Sequence, residues 1–207
     1  MNIAIFNHKG GVGKSTLTSH LGFYAFENGY DTVVVDGDLQ QCTISWLAGH
    51  AWSGDESYEK GTVMVTLNDI PYDNEFVIYD TNPNYDVIAN LSNKIDKWII
   101  PVDGRFSIES AIAVVEELRK FSKEQEIYVV ANKSLNNKFG RGERKEIAKL
   151  GLKVFYLEIP QADVIRKAES MGLATWEVPY GGRSLATQNI ELFCKWVFEG
   201  FNQKQLV

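Results

Sequence analysis

Apolar positions along this chain fall into short unbroken runs, not alternating ones. Ile3-Ala4-Ile5-Phe6, Thr32-Val33-Val34-Val35, Phe76-Val77-Ile78-Tyr79, Lys97-Trp98-Ile99-Ile100-Pro101-Val102, Ile127-Tyr128-Val129-Val130-Ala131 and Lys153-Val154-Phe155-Tyr156-Leu157-Glu158-Ile159 read as six strands. A run without alternation is covered on both faces, as in a parallel sheet between helix layers. Helical periodicity fills the gaps. It predicts helices over 15–28 and 39–48, a short one within 84–93, and further helices over 107–121, 161–171 and about 185–201. In 107–121 the apolar stripe is Ile108, Ala111, Ile112, Val115, Leu118 and Phe121, with Glu109, Glu116, Glu117 and Lys120 opposite. Residues 49–74 carry a weaker pattern. Within them 62–66 reads as either a strand or part of a helix, and the segment suggests no function. Strands alternating with helices predict a single domain over 1–207. Its class is α/β, a doubly wound, mostly parallel sheet flanked by helices.

Composition narrows the function classes. The 207 residues are 44% hydrophobic and 23% charged, ordinary for a globular domain with a real core. The formal charge of −6 argues against a bulk polycation, so any nucleic-acid contact needs a local basic patch. Residues 133–153 supply the one candidate, with seven cations against two acids. If 141–150 is helical, Arg141, Lys145 and Lys149 share a face at four-residue spacing. The run reads equally as a solvated helix face or as a phosphate-contacting DNA patch. Cys42 and Cys194 lie far apart without a C-x-x-C, and the N-terminus enters a strand without a signal-peptide pattern. Both features predict a reducing, cytoplasmic setting. His8, His20 and His50 show no metal-ligand spacing.

The chemistry concentrates at strand ends. After the first run comes His8-Lys9-Gly10-Gly11-Val12-Gly13-Lys14-Ser15-Thr16, then a helix. A strand, a glycine-rich turn and a helix N-terminus together make an anion site. Backbone N–H groups turn inward around phosphates, and the helix adds a positive field. Lys14 is placed to reach the β/γ-phosphates, and the Ser15 hydroxyl to ligate Mg²⁺. The usual G-x-x-x-x-G-K-[ST] spacing is not met, since His8 stands where its first glycine belongs, and Lys9 is an additional cation. The second strand ends in Asp36-Gly37-Asp38-Leu39-Gln40-Gln41 and the third in Asp80-Thr81-Asn82-Pro83. Carboxylates at the ends of parallel strands point toward the ligand crevice, with capping of the helix that follows as the alternative for Asp38.

The K-G-G-x-G-K-S-T stretch, D-x-D-x-Q and D-T-x-P, in this order among these elements, resemble the ParA/MinD family of deviant Walker-A ATPases. The match covers essentially the whole chain and is closest to the short ParA partition proteins without an N-terminal helix-turn-helix domain. Two departures stand out: Leu39 occupies the place of a usual Pro, and Asn82 that of Pro or Ala.

The resemblance implies ATP and Mg²⁺ as cofactors. Nucleotide contacts fall on Lys9, Gly10, Gly11, Val12, Gly13, Lys14, Ser15 and Thr16. Asn132, after the fifth strand, and Pro160 and Gln161, after the sixth, lie against the adenine. The metal is held by Ser15, Asp36 and Asp80. Catalysis is assigned to Lys9, Lys14 and Asp38, with Lys9 reaching a partner subunit's nucleotide and Asp38 beside the attacking water. The expected partners are a second copy of the chain in an ATP-dependent homodimer, non-specific DNA and a ParB-like stimulating protein. No stable membrane anchor is expected, because cations are sparse in the last helix. DNA binding would add nucleoid association to the cytoplasmic setting. Two alternatives stay open: a MinD-like switch on a membrane or protein cargo, and an ATP-dependent small-molecule ligase or kinase.

Overall fold

The structure is a computed structural model. It describes residues 1–38, 42–48, 63–66, 73–84, 86–121, 126–134, 152–155 and 157–200. Among the described residues eight strands carry the sheet: β1 Asn2–Ile5, β2 Thr32–Asp36, β3 Val63–Thr66, β4 Phe76–Asp80, β5 Lys97–Val102, β6 Glu126–Ser134, β7 Lys153–Val154 and β8 Ile159–Pro160. The order is β3-β2-β4-β1-β5-β6-β7, with β8 also on β6, and every pairing is parallel. The described helices are α1 Lys14–Asn28, α2 Cys42–Ala48, α3 Asp86–Leu91, α4 Arg105–Phe121, α5 Asp163–Met171 and α6 Leu185–Glu199.

Side chains alternate across each strand, so the unbroken apolar runs divide between two cores. Ile3, Ile5, Ile78, Ile99 and Val130 face α1 and α6, where Leu17, Leu21, Ile190, Phe193 and Val197 are fully buried. Ala4, Phe6, Val77, Trp98 and Ile100 face α3 and α4 through Ile88, Ile108, Val114 and Leu118. Truncating one of these buried leucines to alanine costs about 2–5 kcal/mol. The last helix is thus committed to the sheet, with Trp196 and Phe198 buried as well. No described helix is long and apolar enough to cross a membrane.

Residues 63–66, left open between strand and helix, form a strand parallel to β2. The predicted helix over 39–48 begins at Cys42 among the described residues, and 39–41 lie outside them. The expected continuous strand over 153–159 is two dipeptide pairings on one edge of β6. Tyr128 and Val129 meet β7, while Asn132 and Ser134 meet β8 across a register shift. An edge strand is held on one side only, so it breaks where the neighbouring strand bulges.

Parallel strands bring their C-terminal ends to one rim. The ends of β2, β4, β1, β5 and β6 stand there side by side, and the loop after the central β1 lies between acidic neighbours on one flank and polar ones on the other.

Candidate nucleotide-binding site

Residues 6–13 connect β1 to α1, and Gly13 caps the helix in the left-handed region at φ 93°, with no side-chain cap. The first N–H groups of α1 are therefore left for a ligand. Asn7, fully buried, fixes the loop's start. Its Nδ2 donates to the Pro101 carbonyl at 2.9 Å, and its Oδ1 accepts from the Lys9 N–H at 2.9 Å and the Ser110 hydroxyl at 2.6 Å. Lys14 is only 6% exposed. Desolvation lowers its pKa, and the Asp80 and Asp38 carboxylates only partly offset this. A buried ammonium beneath a ring of amides is a well-matched counter-charge for phosphate.

The acids occupy the other flank. Asp36 and Asp80 are register partners on β2 and β4, each 1% exposed. Asp36 is consumed structurally: its Oδ2 accepts from the Ile44 N–H in the first turn of α2 at 3.0 Å, and its Oδ1 from the Asp38 N–H at 3.1 Å. Asp36 thus caps the described start of α2. Asp80 takes a 2.6 Å bond from the Thr43 hydroxyl on Oδ2, while its buried Oδ1 has no hydrogen-bond partner among the described residues. Burial pushes its pKa up to about 6, against the pull of the Thr43 and Ser15 hydroxyls. An orphaned carboxylate oxygen beside Ser15 fits a divalent cation. Mg²⁺ suits it best, since it takes one or two protein oxygens and completes its shell with phosphate and water. Among the described residues no three His, Cys, Asp or Glu side chains gather to hold a metal by themselves.

Asn132, at the end of β6, is 1% exposed. Its Nδ2 donates to the Val12 carbonyl at 2.8 Å, and its Oδ1 is buried without a partner among the described residues. Pro160 lies beside it, since β8 pairs with β6 at Asn132 and Ser134, and Gln161 follows, exposed. Lys9 is 38% exposed, and its Nζ pairs with the Asp103 carboxylate after β5 at 2.6 Å. The structure thus gathers Lys9, residues 10–16, Asp36, Asp38, Asp80 and Asn132 on one rim. Gln40 and the basic trio Arg141, Lys145 and Lys149 lie outside the described residues. Sequence reading missed Asn7, Thr43 and Asp103. Each acts through a partner at least 37 residues away, and none has a local signature.

A family profile described as the CobQ/CobB/MinD/ParA nucleotide binding domain matches residues 3–175. Among solved structures, the MinD cell division protein of Aquifex aeolicus superposes with a TM-score of 0.75 at 17% identity, covering 97% of this chain and 98% of that one. A plasmid partition protein of Borrelia burgdorferi B31 bound to AMPPNP gives 0.69 at 19% identity, covering 94% and 98%. At such identities these likenesses speak for the fold alone. An uncharacterised protein of Methanocaldococcus jannaschii is 55% identical over 38 residues, a stretch spanning 18% of this chain and only 15% of that relative.

Proposed function

The chain belongs to the CobQ/CobB/MinD/ParA nucleotide-binding domain family, and from that premise we propose that it is a ParA-type ATPase that positions DNA through an ATP-dependent dimer. The observation that carries this reading is the placement of Lys9. A cation serving its own nucleotide would turn into the cradle, as buried Lys14 does. Lys9 is instead 38% exposed on the rim, held by Asp103, where a second subunit can meet it.

ATP binds with its phosphates against the amides of residues 10–16 and the Lys14 ammonium. The orphaned Oδ1 of Asn132 supports adenine as the base, because it accepts from an exocyclic amino group and repels the O6 acceptor of guanine. Ser15 and Asp80 would hold Mg²⁺, which would supply positive charge against the phosphate oxygens. Asp38 orients the attacking water. Lys14, with Lys9 of the opposite subunit, stabilises the charge that develops as ATP and water become ADP and phosphate. Hydrolysis removes the γ-phosphate that Lys9 reaches, so the dimer loosens. A stimulating partner protein and non-specific DNA complete the cycle, as in the ParA reading of the sequence.

Gel filtration with AMPPNP, with and without random-sequence DNA, tests the whole scheme. The wild-type chain elutes as a dimer with nucleotide and binds DNA only in that form. Lys9→Ala keeps nucleotide binding and stays monomeric. A Lys9→Ala dimer with AMPPNP overturns the trans role. A wild-type dimer that ignores DNA redirects the reading to a membrane or protein cargo, which liposome sedimentation then separates.

A further inference from the structure

Lys133 carries two features that the nucleotide chemistry above does not use. It is one of two described non-glycine residues with positive φ, at 52°. Left-handed backbone is unfavourable for a residue with a Cβ and persists where the surroundings impose it, ligand clamps among them. Its side chain leaves β6 and crosses to the phosphate loop, where Nζ donates to the Gly11 carbonyl at 2.5 Å.

The adjacent residue makes the parallel contact. Asn132 Nδ2 donates to the Val12 carbonyl at 2.8 Å, so consecutive residues of β6 hold consecutive carbonyls of the loop. In a trans peptide the C=O and N–H of one unit point in opposite directions. Fixing the carbonyls of Gly11 and Val12 on the β6 side therefore turns the N–H groups of Val12 and Gly13 the other way, into the cradle. The fit is close: a Cβ built on Gly13 would lie 2.1 Å from Asn132 Nδ2 and 3.7 Å from Lys133 Cε.

We infer that Lys133 is a positioning residue that clamps the phosphate loop from behind, pre-setting its amide donors and coupling them to the base-side strand. The inference rests on the reading of this rim as a nucleotide site. It is distinct from the basic run to which Lys133 belongs in sequence: the ammonium is spent on the loop's own backbone, not on an external polyanion. Preorganised donors bind an anion without first having to order themselves, so releasing the clamp weakens nucleotide binding without touching the nucleotide.

The test compares the full-length wild-type chain with Lys133→Met and Lys133→Gly. Three readouts are taken: hydrogen–deuterium exchange of residues 8–14 without nucleotide, affinity and dissociation rate for a fluorescent ATP analogue with Mg²⁺, and melting temperature. Lys133→Met is expected to speed exchange in the loop and raise Kd about tenfold, the loss of one charge-assisted hydrogen bond, mostly through faster dissociation. Lys133→Gly relieves the left-handed backbone, so its melting temperature holds or rises while nucleotide binding falls as in Lys133→Met. A purely structural lysine cannot give that opposition. Wild-type exchange and affinity in Lys133→Met overturn the clamp. So does a melting-temperature drop that tracks the loss of binding in both variants. If the wild-type chain binds no ATP analogue while exchange still rises in Lys133→Met, the clamp stands and the nucleotide reading falls.

Discussion

The two flanks of the phosphate loop are built for opposite purposes. Toward β4 and β2 stand Asp80, Asp36 and Asp38, acceptors packed side by side, one of whose buried oxygens has no partner. Toward β6 stand Asn132 and Lys133, donors already engaged with the loop's own carbonyls. The acidic flank keeps an unsatisfied acceptor that an incoming cation would complete, whereas the donor atoms of the other flank are already satisfied within the chain and shape the loop. Substitutions on the donor flank should therefore damage geometry, and those on the acidic flank should relieve the empty protein while disabling the loaded one.

The strongest test is Gly13→Ala. It forces a Cβ into Asn132 and a left-handed backbone onto alanine. ATP binding should be lost outright in a fluorescence titration, with stability lowered by about 2–4 kcal/mol. Retained affinity would mean that the donor flank yields and does not set the loop.

Next comes Asp80→Asn, read by urea unfolding of the nucleotide-free protein between pH 4 and 8. Asp80 has its folded pKa raised from 3.8 to about 6, so its contribution is fully present below pH 3.8 and lost as pH rises through 6. Removing the charge should stabilise the empty protein by about 3 kcal/mol at pH 7 and by nothing near pH 4. Mg²⁺-dependent turnover should fall in the same variant. His20 supplies the opposite slope. It is fully buried and neutral, donating from Nδ1 to the Thr16 carbonyl, with desolvation pushing its pKa from 6.5 down to about 4. Its contribution is complete above pH 6.5 and lost as pH falls toward 4, again about 3 kcal/mol. The two cancel in the wild-type chain over this window, and Asp80→Asn should unmask a steeper acid-side fall. A variant curve parallel to the wild type would remove the buried charge from the acidic flank.

A smaller effect is expected from Asn132→Ala, which should weaken ATP about tenfold and narrow the preference for ATP over GTP. An unchanged ratio would take base reading away from Asn132. The smallest belongs to Asp103→Asn. It frees a partly exposed Lys9, and solvent screening limits the gain to less than about 1 kcal/mol. Half-maximal dimerisation should then need a few-fold less AMPPNP, and no shift would leave Asp103 without influence on Lys9.

The acidic flank was legible in sequence because Asp36 and Asp80 each close an apolar run, with Asp38 two residues beyond the first. The strand announces the acid, and a parallel sheet collects such ends. The donor flank was not. Lys133 read as one cation among seven, and only the order β1-β5-β6 carries its ammonium to a carbonyl 122 residues earlier in the chain. Thr43 looked like an ordinary helix residue until β4 brought Asp80 to it. The one strand misread as continuous, at 153–159, lies at the sheet edge, where an apolar run alone does not fix pairing.

The parallel sheet also has a second rim, and it is tied off independently. There the Met1 amino group meets the Glu75 carbonyl at 2.6 Å, Asn74 Nδ2 donates to Asp31 Oδ1 at 2.7 Å, and the Asn2 N–H donates to Asp96 Oδ2 at 2.7 Å. No residue of the phosphate loop takes part in these contacts. The molecule therefore offers a silent end for instrumentation: a fluorophore or surface tether at the exposed turn residue Asn93 would report tumbling, pairing and capture of the whole particle while leaving the reactive end unaltered.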